Sequence, residues 1–263
     1  MIQFNIHRFA KLARWSLTND KKYLVKSFLQ ALVILVLVFL FFTVATVSVN
    51  GHSGYYHACV VATLITFLVT IVLGSSFMFY SMEGKHDMQA LLLLPASNFE
   101  KYLIRYSSWL ILLPLHLVAI FAADLVQYVI NLLLGHPNAT LVTMELMNMM
   151  GDTWHKMPEN LRSGFAIVLT LVIIWMHSLY ALGATFFRSH KYNWIPTTIV
   201  IVLLIVLQVV INSLMGNHSL EIQTETNKFI VNVVVMLLLI VFNFWMSYRL
   251  FCRQQVIGKL VNL

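Results

Sequence analysis

Six long apolar stretches follow one another along the chain, separated by shorter polar segments. The shortest has 21 residues, which as an α-helix would cover about 31 Å, enough to cross a hydrocarbon layer of about 30 Å. We therefore predict an all-α membrane protein with six transmembrane helices. The predicted spans are Ser27–Val49, His57–Ser81, Ile104–Leu134, Ser163–Phe187, Ile195–Met215 and Lys228–Phe251.

The composition supports a membrane protein over any soluble class. Hydrophobic residues make up 60% of the 263 residues and charged residues only 10%, whereas a soluble globular domain carries about 25% charged residues. Too few charges are present to cover a water-facing surface. A soluble enzyme, a disordered chain and a secreted disulfide scaffold are excluded.

Lysine and arginine are distributed unevenly between the two sides of this topology. Fourteen lie in the two terminal segments and in the loops after spans two and four, and three lie in the other loops. Basic residues are retained on the cytoplasmic side, so we predict that both termini are cytoplasmic. We expect a multi-pass protein of the cell membrane, in particular of a bacterial inner membrane. This asymmetry accounts for the net charge of +7, and no nucleic-acid partner is expected.

The N-terminal segment, residues 1–26, has its own amphipathic pattern. Ile2, Ile6, Phe9, Ala13 and Leu17 share one helical face, while basic side chains occupy another. This arrangement predicts a helix lying in the membrane interface before the first span, with an ordinary charged N-terminus as the alternative. The residues that define it are Arg8, Phe9, Lys11 and Arg14. The transmembrane domain then covers residues 27–251, and residues 252–263 form a cytoplasmic tail.

The predicted cytoplasmic loop, residues 82–103, contains a short apolar helix. Met88, Leu91 and Leu92 can share a helical face, and Pro95 ends the segment. Ser97 and Glu100 have the spacing of a capping box that starts the next helix. Four consecutive leucines outside the bilayer favour docking into another protein or into the membrane surface.

The outer loop, residues 135–162, is rich in methionine. Methionine is a pliable contact residue, so this loop forms either a surface helix over the outer mouth or a loop lying on the bilayer. The pattern leaves both open.

No catalytic or metal-binding constellation is present in the sequence. It lacks a GxxxxGK(S/T) nucleotide-binding loop, an HExxH zinc motif and a GxSxG nucleophile elbow. The two cysteines, Cys59 and Cys252, fall at opposite membrane faces in the predicted topology. We therefore predict no catalytic residue, no metal site and no enzymatic activity in this chain.

Polar residues on the third span form the other candidate site. They lie within an arc of about 80° at about 3.6 residues per turn, and they are His116, Asp124, Gln127 and Asn131. Ionisable groups inside a span are costly and often functional, so the stripe could line a translocation path. The alternative, which we favour, is hydrogen bonding between helices, with Asp124 reaching the outer interface.

The cytoplasmic loop resembles the signature of the permeases of ABC type-2 exporters, of the form R-E-x-G-T-L-E-x-L-L-x-x-P-x-S. Leu91, Leu92, Pro95 and Ser97 match it, Glu83 corresponds to its first Glu with one additional residue before Pro95, and Glu100-Lys101 continues it. His86-Asp87 stands where the family often has Gly-Thr, and Gln89 stands where it often has Glu.

The resemblance implies a membrane subunit that works as a homodimer or in a pair with another permease. Two separate ATP-binding-cassette ATPase subunits would carry the ATP and Mg, so this chain would hold no cofactor. The cytoplasmic loop would form the coupling helix that binds the ATPase. The residues that would make this contact are Glu83, Asp87, Met88, Leu91, Leu92, Pro95, Ser97 and Glu100. The alternative function is a gradient-driven secondary transporter or channel with Asp124 as its ion or proton site.

Overall fold

All elements of the described chain are helices. The computed structural model describes residues 4–47, 53–80, 85–134, 140–187, 192–214 and 225–253. The α-helices are α1 (Ile6–Val47), α2 (Ser53–Leu73), α3 (Lys85–Leu93), α4 (Asn98–Leu133), α5 (Val142–Lys156), α6 (Glu159–Phe186), α7 (Trp194–Leu214) and α8 (Glu225–Cys252), and a 3₁₀ helix, Gly74–Phe79, extends α2.

Five of these helices are long and apolar enough to cross a membrane: α1, α2 with its 3₁₀ extension, α4, α6 and α8. They confirm the prediction of an all-α chain with several helices able to cross a membrane. α7 coincides with the fifth predicted span and has 21 residues, but its stretch of described apolar residues, Trp194–Leu207, is shorter. The sixth crossing and the orientation of the termini stay predictions.

The apolar side chains of α7 lie largely on its surface. Val202, Leu204 and Leu207 are all exposed, although burying such a side chain is worth about 1.5–3 kcal/mol in water. An exposed apolar surface of this kind is typical of a helix that contacts a membrane or another protein.

The N-terminal segment does not form a separate helix. α1 runs through 42 residues, about 63 Å at about 1.5 Å per residue, and includes both the predicted interfacial helix and the first span. The reason is local, because neither glycine nor proline occurs between Ile6 and Val47 to break the helix. Ile6 and Leu17, predicted on the apolar face, are exposed, whereas Leu12 and Ser16 are buried.

The chain divides into two compact units. Unit 1 contains residues 1–16, 72–107 and 167–263, and unit 2 contains residues 17–71 and 108–166. The core of unit 1 is formed by Met78, Phe79, Leu91, Tyr102, Ala184 and Phe251. The core of unit 2 is formed by Leu35, Phe39, Cys59, Val60, Ile120, Ala123 and Val142.

Within unit 1, α6 and α7 meet at Gly183. A Cβ added there would lie 2.6 Å from Cγ2 and 2.9 Å from Cβ of Thr197, and Thr197 is itself buried. Small residues allow helix backbones to approach this closely in membrane proteins. Glycine is therefore required by the contact between the helices.

We expect Gly183→Ala to destabilise the protein by about 1–3 kcal/mol, because the added methyl group overpacks this contact. Thermal unfolding in detergent measures the loss. Thr197→Ala should recover part of it in the double variant, since it removes Oγ1 and Cγ2 from the clash. A single Gly183→Ala variant as stable as the parent would contradict the assignment.

Candidate functional site

The predicted coupling segment forms a nine-residue helix, α3. It ends with the amide of Leu94 donating to the carbonyl of Leu91 at 3.3 Å, just before the exposed Pro95. Glu83 lies outside the described residues, and so does the side chain of Met88, while Asp87 is partly buried. The short helix ending near Pro95 agrees with the pattern.

The leucines of α3 are divided between its two faces. Leu91 is completely buried, and it clusters with the core of unit 1. Leu92 packs partly buried against the same cluster, while Leu93 is 84% exposed. Residues two apart on a helix point about 200° apart, so burial of Leu91 turns Leu93 outward. Leu91, predicted to contact an ATPase, is therefore packed within its own chain here.

Lys101 fixes the C-terminal end of α3 to the first turn of α4. Its Nζ donates to the carbonyl oxygen of Leu92 at 2.6 Å, and the side chain is almost fully buried. A cation satisfies unpaired carbonyls at the C-terminus of a helix and interacts favourably with the helix dipole. This bond joins the two helices across the Pro95 turn.

The start of α4 is stabilised by the predicted capping box. The amide of Ser97 donates to Oε2 of Glu100 at 2.7 Å, and the amide of Glu100 donates to Oγ of Ser97 at 3.2 Å. These reciprocal bonds satisfy amides that would otherwise be unpaired.

Glu100 also holds the N-terminal segment. Arg8 donates from Nε to Oε2 at 2.9 Å and from a terminal nitrogen to Oε1 at 2.8 Å. The amide of Asn5 donates to Oε1 at 2.7 Å. The Glu100 side chain has no exposed surface. Glu100 was predicted to contact an ATPase, whereas its carboxylate is occupied by contacts within the chain.

The other three predicted residues of the N-terminal helix have different surroundings. Phe9 is partly buried and contacts Phe4, with ring centroids 5.8 Å apart. Lys11 and Arg14 are exposed. Phe4 also meets Phe99 of α4 at 6.2 Å, and both rings remain about half exposed. Phe4 and Phe99 therefore add an aromatic contact between the N-terminal segment and α4, and their exposed halves form an apolar surface there.

Arg105 is a structural residue that the sequence analysis missed. Its side chain is completely buried, with Nε donating to the carbonyl of Met78 at 3.1 Å and a terminal nitrogen donating to Oγ of Ser16 at 3.2 Å. It thereby links α4 to the 3₁₀ helix that precedes α3. The only sequence signal was its position at the start of a predicted span.

The polar stripe of α4 lies in unit 2, where Asp124 anchors α5. Oδ1 accepts the amide of Val142 at 2.8 Å, and Oδ2 accepts the amide and the hydroxyl of Thr143 at 2.9 and 2.6 Å. A carboxylate at this position satisfies the first amides of the helix and complements its dipole. These bonds favour the interhelical interpretation of the stripe.

The other stripe residues do not gather around a common site. Asn131 is buried and donates to the carbonyl of Gln127, also buried, at 3.1 Å. His116 is partly buried, with Nε2 lying 3.4 Å from Oγ of Ser27. Within the predicted outer loop, Val142–Lys156 forms the helix α5, and its location over an outer mouth stays a prediction.

Neither unit assembles a metal centre from described residues. Across the described ranges, no three histidine, cysteine or acidic side chains lie close enough together to hold an ion. The best candidate site is therefore α3 together with Leu91 and Lys101, the residues that hold it in unit 1. Comparison with known protein families, with curated proteins and with solved structures finds no match for the chain.

Proposed function

We propose that this chain is the permease subunit of an ATP-driven exporter of the ABC type-2 kind. In this proposal it crosses a bacterial inner membrane six times with both termini in the cytoplasm. It works as a homodimer or beside a second permease, and separate ATP-binding-cassette ATPases supply ATP hydrolysis. One observation carries the proposal: α3 is a short helix fixed to its own chain on one face that exposes Leu93 on the other.

The contacts that hold α3 would allow a movement of this helix to be transmitted to its neighbours. Leu91 packs in one cluster with Phe79, at the end of the 3₁₀ helix, and with Tyr102, in the first turns of α4. Lys101 adds a direct bond from α4 to the end of α3. A displacement of α3 would therefore move the adjoining ends of these two helices as a rigid body, which is a common form of switching transition.

The surface offered to the ATPase differs from the one predicted. Leu93 replaces Leu91 as the apolar contact, and the exposed Gln89 and Ala90 extend the same outward side of the helix. Burying the exposed Leu93 side chain in a protein partner would contribute about 1.5–3 kcal/mol to the association.

The contacts of Asp124 favour an ATP-driven permease over a gradient-driven transporter or channel. A carboxylate has about four acceptor sites, and the start of α5 already occupies three of those of Asp124, one on Oδ1 and two on Oδ2. We assign Asp124 an anchoring role in this proposal.

We expect Leu93→Glu to reduce co-purification of the proposed ATP-binding-cassette partner by about tenfold, equivalent to about 1.4 kcal/mol. The reason is that an acid replaces the exposed apolar anchor. Tandem purification after co-expression, with the ATPase quantified against the permease, measures the loss.

Leu17→Glu is the matched control, since it places the same acid at an exposed leucine of α1 and should leave the association unchanged. Membrane insertion of both variants is followed by their yield in the membrane fraction. Undiminished association of Leu93→Glu would rule out α3 as the coupling element.

A further inference from the structure

Unit 2 contains a cavity of about 470 Å³ between α2, α4 and α5. Its walls are mainly apolar and include Leu64, Phe67, Leu117 and Ile120. Phe121 and Met147 also line it and are mostly exposed. The cavity is therefore closed on its inner side and open at the surface of the unit.

Two of the helices around the cavity, α2 with its 3₁₀ extension and α4, are long and apolar enough to cross a membrane. Leu64 and Phe67 lie 7 and 10 positions after His57, where the apolar stretch of α2 begins, and Leu117 and Phe121 lie 16 and 12 positions before Leu133, where that of α4 ends. At about 1.5 Å per residue these lining residues are roughly 10–24 Å from those ends, so the cavity lies within the length of both apolar helices.

The size of the cavity matches a hydrocarbon chain. A dry apolar cavity of about 150 Å³ accommodates benzene, which has six carbon atoms. Scaling by volume, 470 Å³ has room for roughly 18 carbon atoms. Because α2 and α4 are apolar enough to cross a membrane, an opening between them would face lipid, where the molecules of this size and polarity are lipid tails.

We infer that the cavity binds one acyl chain of a bilayer phospholipid, which enters sideways between Phe121 and Met147. Asn148 of α5 lines the same cavity and supplies an amide donor for an ester carbonyl of the lipid. The inference does not depend on ATP-driven transport, because it follows from the position, lining and volume of the cavity.

The experiment uses the full chain in nanodiscs containing a phosphatidylcholine with a photoactivatable diazirine in its acyl chain. After illumination, crosslinked peptides are mapped by mass spectrometry. We expect labelling to concentrate on Leu64, Leu117 and Met147. Leu117→Trp should reduce that labelling about tenfold, a change of about 1.4 kcal/mol in binding, because the indole fills the cavity.

Val118→Trp is the control, since Val118 is exposed and adjacent but does not line the cavity, and its labelling should equal that of the parent. Leu64→Trp provides a second filling variant, with Leu68→Trp as its exposed partner, if Leu117→Trp does not fold. Labelling spread evenly over exposed apolar faces, or unchanged by both filling variants, would overturn the inference. Crosslinks between two copies of the chain at these residues would also overturn it.

Discussion

Asp124→Ala is expected to release the N-terminal end of α5. Removing the carboxylate leaves the amides of Val142 and Thr143 and the Thr143 hydroxyl without their acceptor. Each buried donor left unpaired costs about 1–3 kcal/mol, so we expect a local loss of about 3 kcal/mol. Hydrogen exchange should accelerate about a hundredfold at these two amides, in proportion to the free energy of local opening.

Two further variants separate the contributions at this anchor. Asp124→Asn keeps one oxygen acceptor but loses the negative charge at the helix N-terminus, so its exchange should be intermediate. Asp152→Asn is the control, because Asp152 is exposed and its 3.9 Å ion pair with Lys156 lies at the surface, where such pairs contribute little. Unchanged exchange in Asp124→Ala would show that other contacts hold α5.

The second large effect is expected at Glu100. Glu100→Ala removes the acceptor shared by Arg8, the Asn5 amide and the Ser97 amide, so the beginning of α1 should detach from α4. Trypsin should then cleave after Arg8 or Lys11 about tenfold faster, because proteolysis requires local opening of the chain. The appearance of the shortened chain over time measures the rate.

Ser97→Ala distinguishes the capping box from this tether. It removes only the hydroxyl that accepts the hydrogen bond from the Glu100 amide and leaves the Arg8 contacts in place. Loss of a typical cap costs about 1 kcal/mol of stability. Its cleavage near the N-terminus should match that of the parent. Equal rates in Ser97→Ala and Glu100→Ala would mean that Glu100 acts only as a cap.

Features set by neighbouring residues could be predicted from the sequence. The apolar stretches gave the long helices, and the three-residue spacing of Ser97 and Glu100 gave the capping box. α5 was ambiguous for a physical reason: its N-cap residue is Leu141, which makes no side-chain cap. The cap comes instead from Asp124, 18 residues away from Val142, where no local pattern reveals it.

The contacts that determine the candidate site also join distant parts of the chain. Arg8 and Glu100 are 92 residues apart, and nothing local pairs them. The periodicity of α3 showed that it has an apolar face, but an apolar face can pack against its own chain or against a partner. The packing of Leu91 against Phe79 and Tyr102 determines which leucine of α3 remains exposed to a partner.

The most direct test of the proposed coupling is a crosslink from α3 to the ATPase. Cys252→Ser removes the exposed thiol and Cys59 is buried, so Leu93→Cys then provides the accessible one for a thiol-specific crosslinker after co-expression with the proposed ATP-binding-cassette partner. Leu133→Cys, at the other end of α4 and similarly exposed at 81%, is the control. We expect a permease–ATPase product from Leu93→Cys alone; no product from it, or equal product from Leu133→Cys, would contradict the role assigned to α3.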